Sequence, residues 1–122
     1  MKIQEKFDLT GRVAVVTGGV GLLGAEFCRT LAEAGAAVAV VDMNASASQA
    51  TADTLTKSGY KAQAFSTDIT QPDSVNAMAG KIFSALGRID ILVNSAALDP
   101  KFDPDAIQKG ITPGAFEDYP LE

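Results

Sequence analysis

The sequence predicts an α/β domain in which helices cover both faces of a parallel sheet. Short apolar runs alternate with helix-patterned segments, glycines occupy positions 18, 21 and 24 at the first strand-to-helix transition, and polar residues follow the ends of the apolar runs. Strands that alternate with helices are joined by right-handed crossovers and therefore run parallel. With 122 residues the chain forms one domain at most, yet it is long enough to bury a core.

The first strand is predicted over residues 12–17, and the first helix over residues 22–34. Gly35 follows that helix and is expected to end it. Apolar residues recur at helical spacing and define the face that we expect to be buried: Leu23, Phe27, Leu31 and Ala34.

A second strand over residues 37–42 carries valines in a nearly continuous apolar run, which is typical of a strand covered on both faces. Residues 45–58 predict a weaker helix of small and polar residues, ended by Gly59. Residues 61–67 predict the third strand.

The third long helix has the clearest periodicity in the chain. Thr70 is expected to cap it, Pro72 suits its first turn, and Gly87 ends it. Its apolar residues recur at helical spacing: Val75, Met78, Ala79, Ile82, Phe83 and Leu86. A fourth strand follows over residues 89–94, and right-handed crossovers then predict the strand order 3-2-1-4.

Beyond this point the periodicity fades. Residues 1–97 are predicted to form the folded unit, and residues 98–122 a loop-rich tail with prolines at four of its turns. Residues 104–109 could form one or two helical turns. The acidic residues at 99, 103, 105, 117 and 118 have no calcium-loop spacing, so we expect solvated loop acids and no metal site.

Composition excludes several functional classes. A net charge of −5 without a Lys/Arg cluster disfavours nucleic acid and anionic membranes as partners. No apolar stretch is long enough for a bilayer, and charges within residues 2–8 disfavour a signal peptide, so a cytoplasmic location is predicted. Without histidine, Ser-His-Asp and Cys-His systems are not available within the chain. The single cysteine, Cys28, is interpreted as a packing residue more readily than as a reactive thiol.

The glycine-rich turn predicts a site for a diphosphate. Gly18 permits a tight turn after the strand, Gly21 leaves no Cβ between backbone and ligand, and Gly24 allows the helix to pack closely. Unpaired N–H groups and the positive end of the helix dipole then attract phosphates. The alternative is that the three glycines only allow the backbone to make the turn and bind no ligand.

Polar or glycine residues stand at the carboxyl ends of all four predicted strands, where a ligand binds such a sheet. Asp42 ends the second strand, 24 residues after Gly18, a spacing that suits a carboxylate accepting hydrogen bonds from a ribose. A polar residue that merely closes a strand is the alternative. The residues expected to meet at this edge are Thr17, Gly18, Asp42, Asp68 and Asn94.

Four motifs in this order resemble the amino-terminal half of a short-chain dehydrogenase/reductase: Thr17–Gly24, Asp42, Asp68-Ile69-Thr70 and Leu92–Ala97. The resemblance covers nearly the whole chain. It implies a Rossmann-type doubly wound sheet, truncated within the family's fold, and an NAD-binding role in hydride transfer between cofactor and an alcohol or carbonyl substrate.

The resemblance also implies individual roles. The glycines match the cofactor loop, with Leu22 and Leu23 offering backbone contacts, and Asp42 matches the acid that selects NAD over NADP. Asp68 and Ile69 match the pair flanking the adenine, although a buried strand-end role for Ile69 is nearly as well supported. The segment from Asn94 through Ala96 to Ala97 matches the family's Asn-Asn-Ala-Gly stretch, in which the first amide ties strands together.

Two departures from the family pattern concern chemistry. Ser95 and Ala97 replace the usual Asn and Gly. The Tyr-x-x-x-Lys element is missing, because Tyr60 is followed four positions later by Ala64 and Tyr119 lies too near the end to have such a lysine. No catalytic residue is therefore predicted. We expect a fragment of an oxidoreductase, inactive alone, with an unknown small-molecule substrate.

Alternative functions remain open at this stage. A nucleotide-sensing or scaffold protein would have the same fold without turnover, and an S-adenosylmethionine-dependent methyltransferase has a similar glycine loop and acid. The Thr17-Gly18 opening and the Asn94–Ala97 segment disfavour the methyltransferase. An uncovered fourth strand predicts homo-oligomers or a self-associating fragment.

Overall fold

The computed structural model describes residues 1–97. In this part of the chain, four strands and four helices follow one another in the order α1 (Ile3–Lys6), β1 (Val13–Thr17), α2 (Leu22–Glu33), β2 (Ala37–Asp42), α3 (Ala45–Lys57), β3 (Ala62–Ser66), α4 (Pro72–Leu86) and β4 (Ile91–Asn94). The predictions for residues 98–122, including a short helix at 104–109 and solvated acids, lie outside the described residues.

The four strands form one parallel sheet in the order β3-β2-β1-β4, which confirms the predicted topology. Thr17 at the end of β1 lies opposite Val41 of β2 and Asn94 of β4. Asp42 in turn lies opposite Ser66 of β3. This register places the carboxyl ends of all four strands at one edge, where the connecting loops meet.

Helices cover both faces of the sheet. On one face, α2 and α3 pack on alternate valines of β1 and β2 in a core made of Val16, Cys28, Ala32, Val38, Val40, Ala52 and Leu55. On the other face, Met78 and Ile82 of α4 form a second core with four residues of the two central strands: Val13, Val15, Ala39 and Val41. Since a fully buried valine contributes about 1.5–3 kcal/mol, the two central strands supply much of the stability.

The face that α2 buries differs in part from the predicted one, although Leu31 packs against the core as expected. Its buried residues are Gly24, Cys28 and Ala32, whereas Leu23 and Phe27 are 67% and 38% exposed. Small side chains allow this helix to approach the sheet closely, so the larger apolar residues turn outward.

Cys28 is confirmed as a packing residue. Its side chain is fully buried in the core, and burial raises the pKa of the thiol to about 11. The thiol is therefore protonated at neutral pH and is a poor nucleophile.

Several element ends also differ from the sequence predictions. The single-turn helix α1, whose Glu5 carboxylate accepts a hydrogen bond from the Lys2 N–H at 2.8 Å, was not predicted. The strands β1, β3 and β4 are each shorter than predicted by one or two residues. Thr70 does not cap α4, since its hydroxyl donates to Asp68 and the N-cap position belongs to Gln71.

Gly87 ends α4 as predicted, in the left-handed conformation with φ of 85°. Among the helices that the structure describes, none has the length and apolar character needed to cross a bilayer.

Candidate functional site

A cavity of about 310 Å³ opens at the carboxyl edge of the sheet, between the loops that follow the four strands. Its volume lies at the small end of the range for small-molecule sites, about 300–1,000 Å³. The lining residues are Gly18, Val20, Gly21, Val41, Asp42, Met43, Thr67, Asp68, Ile69, Thr70, Ser95, Ala96 and Ala97. We call this cavity the cleft.

The glycines of the loop between β1 and α2 serve different purposes. Gly18 has φ of 66°, and a Cβ there would lie 2.7 Å from the Ala96 Cα. A Cβ on Gly24 would lie 1.9 Å from the carbonyl oxygen of Gly18. Both positions therefore require glycine to build the turn itself.

Gly21 is different, because it has ordinary backbone angles (φ −66°) and a Cβ there would meet only the Gly18 oxygen, at 3.3 Å. Gly19 was not among the predicted site glycines, yet its position also requires glycine. A Cβ at that position would lie 2.8 Å from the Val40 Cγ1 in the core, a contact for which the sequence gives no local signal.

The start of α2 lies beside the cleft, and the backbone amides of its first turn have no hydrogen-bond partner among residues 1–97. Gly21 is the N-cap residue and makes no side-chain capping bond, so the first-turn N–H groups of Leu22, Leu23 and Gly24 have no partner from that cap. Leu22 and Leu23 are 93% and 67% exposed, which leaves their backbone accessible. Such a helix start attracts anions.

Asp42 is fixed at the wall of the cleft by two backbone amides. Its Oδ1 accepts a hydrogen bond from the Asn44 N–H at 3.0 Å, and its Oδ2 accepts a longer one from the Val20 N–H at 3.4 Å. Val20 belongs to the glycine loop, so the carboxylate ties the end of β2 to that loop. Each oxygen retains further acceptor capacity for a ligand.

Asp68 and Ile69 form the opposite wall. The Asp68 Oδ1 accepts hydrogen bonds from the Thr70 N–H at 2.9 Å and from the Thr70 hydroxyl at 2.6 Å. These bonds, the hydroxyl bond foremost, lower the pKa of Asp68, so its carboxylate is ionised at neutral pH. Ile69 is 46% exposed and offers an apolar surface toward the cleft.

Thr17 joins β1 to the loop after β4. Its hydroxyl donates to the Val93 carbonyl and accepts from the Ala96 N–H, both at 3.4 Å. Thr17 itself is buried, and it positions Ala96, which lines the cleft. Asn94 is exposed, and within residues 1–97 its side chain makes no hydrogen bond, so the expected tie between strands is not seen there.

The structure brings together six of the eleven sequence-predicted site residues as lining of the cleft: Gly18, Gly21, Asp42, Asp68, Ile69 and Ala96. The other five lie beside it: Thr17, Leu22, Leu23, Gly24 and Asn94. Sequence reasoning missed two hydroxyl residues of the lining, Thr67 and Ser95. Their Oγ atoms are buried and have no hydrogen-bond partner within the described part of the chain.

Comparison with known proteins gives one consistent result. The sequence model of the family described as short chain dehydrogenase matches residues 12–113. The short chain dehydrogenase/reductase astE of Aspergillus oryzae is 39% identical over 104 residues, which are 84% of this chain and 40% of that protein. The chain thus spans about two fifths of the length of the curated relatives that it matches.

Solved structures with similar folds include cofactor complexes. A metagenomic short-chain oxidoreductase in complex with NADP has a TM-score of 0.71 at 33% identity. The match covers 75% of this chain and 41% of that protein. A putative D-mannonate oxidoreductase from Haemophilus influenza with bound NAD has a TM-score of 0.76 at 27% identity. The match covers 82% of this chain and 36% of that protein.

Proposed function

The chain belongs to the short chain dehydrogenase family, and from this premise we propose that its cleft binds NAD for an oxidoreductase acting on an alcohol/carbonyl pair. One observation carries the proposal: the Asp42 carboxylate, fixed by two backbone amides, faces the same cleft as the start of α2. A carboxylate for a ribose and free amides for a diphosphate are the two groups that a dinucleotide needs.

The preference for NAD over NADP rests on charge. Asp42 would repel the 2′-phosphate of NADP, and the side chains beside it in the cleft, Val20 and Met43, are both uncharged. The similar structures include one with NADP and one with NAD. The proposed preference of this chain for NAD therefore rests on its own residues.

The residues of this chain bind and orient the cofactor, which supplies the hydride chemistry when bound. In the proposal, the first-turn amides of α2 hold the diphosphate, Asp42 holds the adenosine ribose, and Asp68 with Ile69 borders the adenine. Tyr60 is followed four positions later by Ala64 and not by a lysine, so we propose that the described part of the chain binds cofactor without turnover.

Isothermal titration calorimetry of the 122-residue chain with NAD, NADP and S-adenosylmethionine tests the proposal. We expect NAD to bind more tightly than NADP and S-adenosylmethionine not to bind. Binding of neither dinucleotide would overturn the proposal, and binding of S-adenosylmethionine alone would favour the methyltransferase alternative. The substrate, a cytoplasmic location and the oligomeric state stay predictions.

A further inference from the structure

Two residues that line the cleft carry buried hydroxyl groups without a hydrogen-bond partner in the described part of the chain. Within residues 1–97, the Thr67 Oγ1 and the Ser95 Oγ are the two buried side-chain polar atoms without a hydrogen-bond partner. Both residues line the cleft, although they follow different strands, β3 and β4. Thr67 is only 4% exposed as a whole residue.

The coincidence of these two groups in one cavity needs a physical reason. A buried hydroxyl without a partner costs free energy, and folded proteins contain few such groups. The other buried hydroxyls within residues 1–97 are paired: Ser48 donates to the Ala45 carbonyl, and Thr17 bridges β1 and the loop after β4. A ligand in the cleft would provide the missing partners.

We infer that the Thr67 and Ser95 hydroxyls are ligand-binding groups of the cleft and hydrogen-bond the adenosine part of the dinucleotide, an inference that rests on the proposed function. Thr67 directly precedes Asp68 and Ile69, and Ser95 directly precedes Ala96, so the two residues lie in two different loops that line the cavity.

The chemistry of both partners fits this role. A hydroxyl both donates and accepts hydrogen bonds, and an adenine edge presents an amino donor next to ring-nitrogen acceptors. The cavity of about 310 Å³ accommodates only part of a dinucleotide, and Asp42 marks the ribose end of that part. Adenosine therefore matches the cavity in size and in polarity.

The test compares hydroxyl-removing variants of the 122-residue chain in calorimetric titrations with NAD and with AMP. Thr67→Val and Ser95→Ala should each weaken the binding of both ligands by the same factor, about 2- to 10-fold, as expected for one neutral hydrogen bond. Thr67→Ser keeps the hydroxyl and should keep the affinity. Ser48→Ala and Thr54→Val, whose hydroxyls donate to helix carbonyls, are the controls away from the cleft.

Thermal unfolding of the ligand-free variants provides a second readout. Removing a hydroxyl that has no partner should leave the Tm unchanged or raise it, whereas removing a structural hydrogen bond would lower it. A variant with weaker binding and an undiminished Tm supports the inference.

If the wild-type chain binds NAD and both Thr67→Val and Ser95→Ala bind it equally well, the inference fails while the proposed function stands. The two hydroxyls would then bind an ordered water only. Loss of NAD binding with unchanged AMP binding would overturn the assignment to adenosine. If the wild-type chain binds neither NAD nor NADP, the proposed function fails and the inference fails with it.

Discussion

At the scale of single residues, the proposed preference for NAD rests on the charge of Asp42. Asp42→Asn keeps the shape but removes the charge, so NAD affinity should fall about 10-fold or more, since a hydrogen bond to a charged group contributes about 1.5–3 kcal/mol. NADP affinity should be maintained or should rise because the repulsion is gone. Calorimetric titration with both dinucleotides measures the two affinities.

The matched control for that change is Asp53→Asn. Asp53 lies on the exposed part of α3, where its carboxylate accepts a hydrogen bond from Gln49 at 2.9 Å. Its substitution should leave both affinities unchanged. An unaltered ratio of NAD to NADP affinity in Asp42→Asn would remove Asp42 from the ribose site.

The loop glycines allow ligand approach to be separated from backbone strain. Gly21→Ala should fold, because φ is −66° and the new Cβ meets one oxygen at 3.3 Å, but it should weaken NAD binding by crowding the diphosphate. Gly18→Ala should instead lower stability by about 1–2 kcal/mol or more, because φ is 66° and the Cβ would meet the Ala96 backbone.

Thermal unfolding and NAD titration of both glycine variants distinguish these effects. Normal NAD affinity in a folded Gly21→Ala chain would show that the loop is a turn and not a diphosphate site.

At this scale the sequence predicted the types of residue in the cleft better than their contacts. Asp42 and Asp68 stand where the strand ends placed them, because parallel strands bring their carboxyl ends to one edge. The sequence could not show that Gly18 meets Ala96 or that Thr67 lacks a partner, since both facts depend on packing between distant segments.

At the scale of elements, Asp90 joins the amino-terminal ends of β1 and β4. Its carboxylate accepts hydrogen bonds from the Val13 N–H at 2.8 Å and from Arg88 at 2.6 Å, with Arg12 at 3.4 Å. The Arg88 guanidinium, together with the Val13 amide, lowers the pKa of Asp90 below its ordinary value of 3.8.

A lowered pKa in the folded state means that the ionised carboxylate stabilises the fold above the unfolded-state pKa. This contribution is fully present above about pH 4 to 5 and is lost as the pH falls through the folded-state value. Asp90→Asn should therefore lower the Tm at pH 7, and its difference from wild type should shrink in acid. Calorimetric melting from pH 7 to pH 2.5 measures this, with Asp53→Asn as control, and a difference independent of pH would contradict it.

Element types were predictable, and faces and ends were less so. Periodicity correctly placed α2, α3 and α4, because most of their length packs on one sheet. It placed Leu31 correctly against the core. It wrongly placed Leu23 and Phe27 on the buried face of α2, since their hydrophobicity outweighs that of small residues such as Gly24 in any sequence pattern. The distance to the sheet, set by Gly24, favours the smaller residues.

At the scale of the whole molecule, β4 is one of the two edge strands of the described sheet, and it is the one that follows α4. Leu92 is 58% exposed on the same face as Val15, beyond the reach of α4. Edge strands with apolar residues tend to pair with other chains. We therefore predict concentration-dependent self-association of the 122-residue chain in sedimentation velocity.

Leu92→Lys should reduce this association with little effect on stability, because the side chain is exposed and lysine disfavours edge pairing. Ile3→Lys, at a comparably exposed apolar residue (61%) on α1, should leave the association as it is. A wild-type chain that stays monomeric at all concentrations would contradict the prediction.

The strand order was fully predictable, because right-handed crossovers allow few topologies. Glycines and acids at strand ends then indicated the edge that carries the site. The extent of helical cover was only partly predictable. The sequence indicates which helices flank the sheet, but not that α4 stops short of β4.

The burial pattern of the sheet has a consequence for motion. β1 is buried at every position and β2 at its four central ones, whereas β3 and β4 are half-exposed and each has a single neighbour in the described sheet. Amide hydrogens in the inner pair should exchange with solvent only on global opening, while those of the outer pair exchange through local fraying. We therefore expect the cleft to have a rigid floor between two more compliant rims.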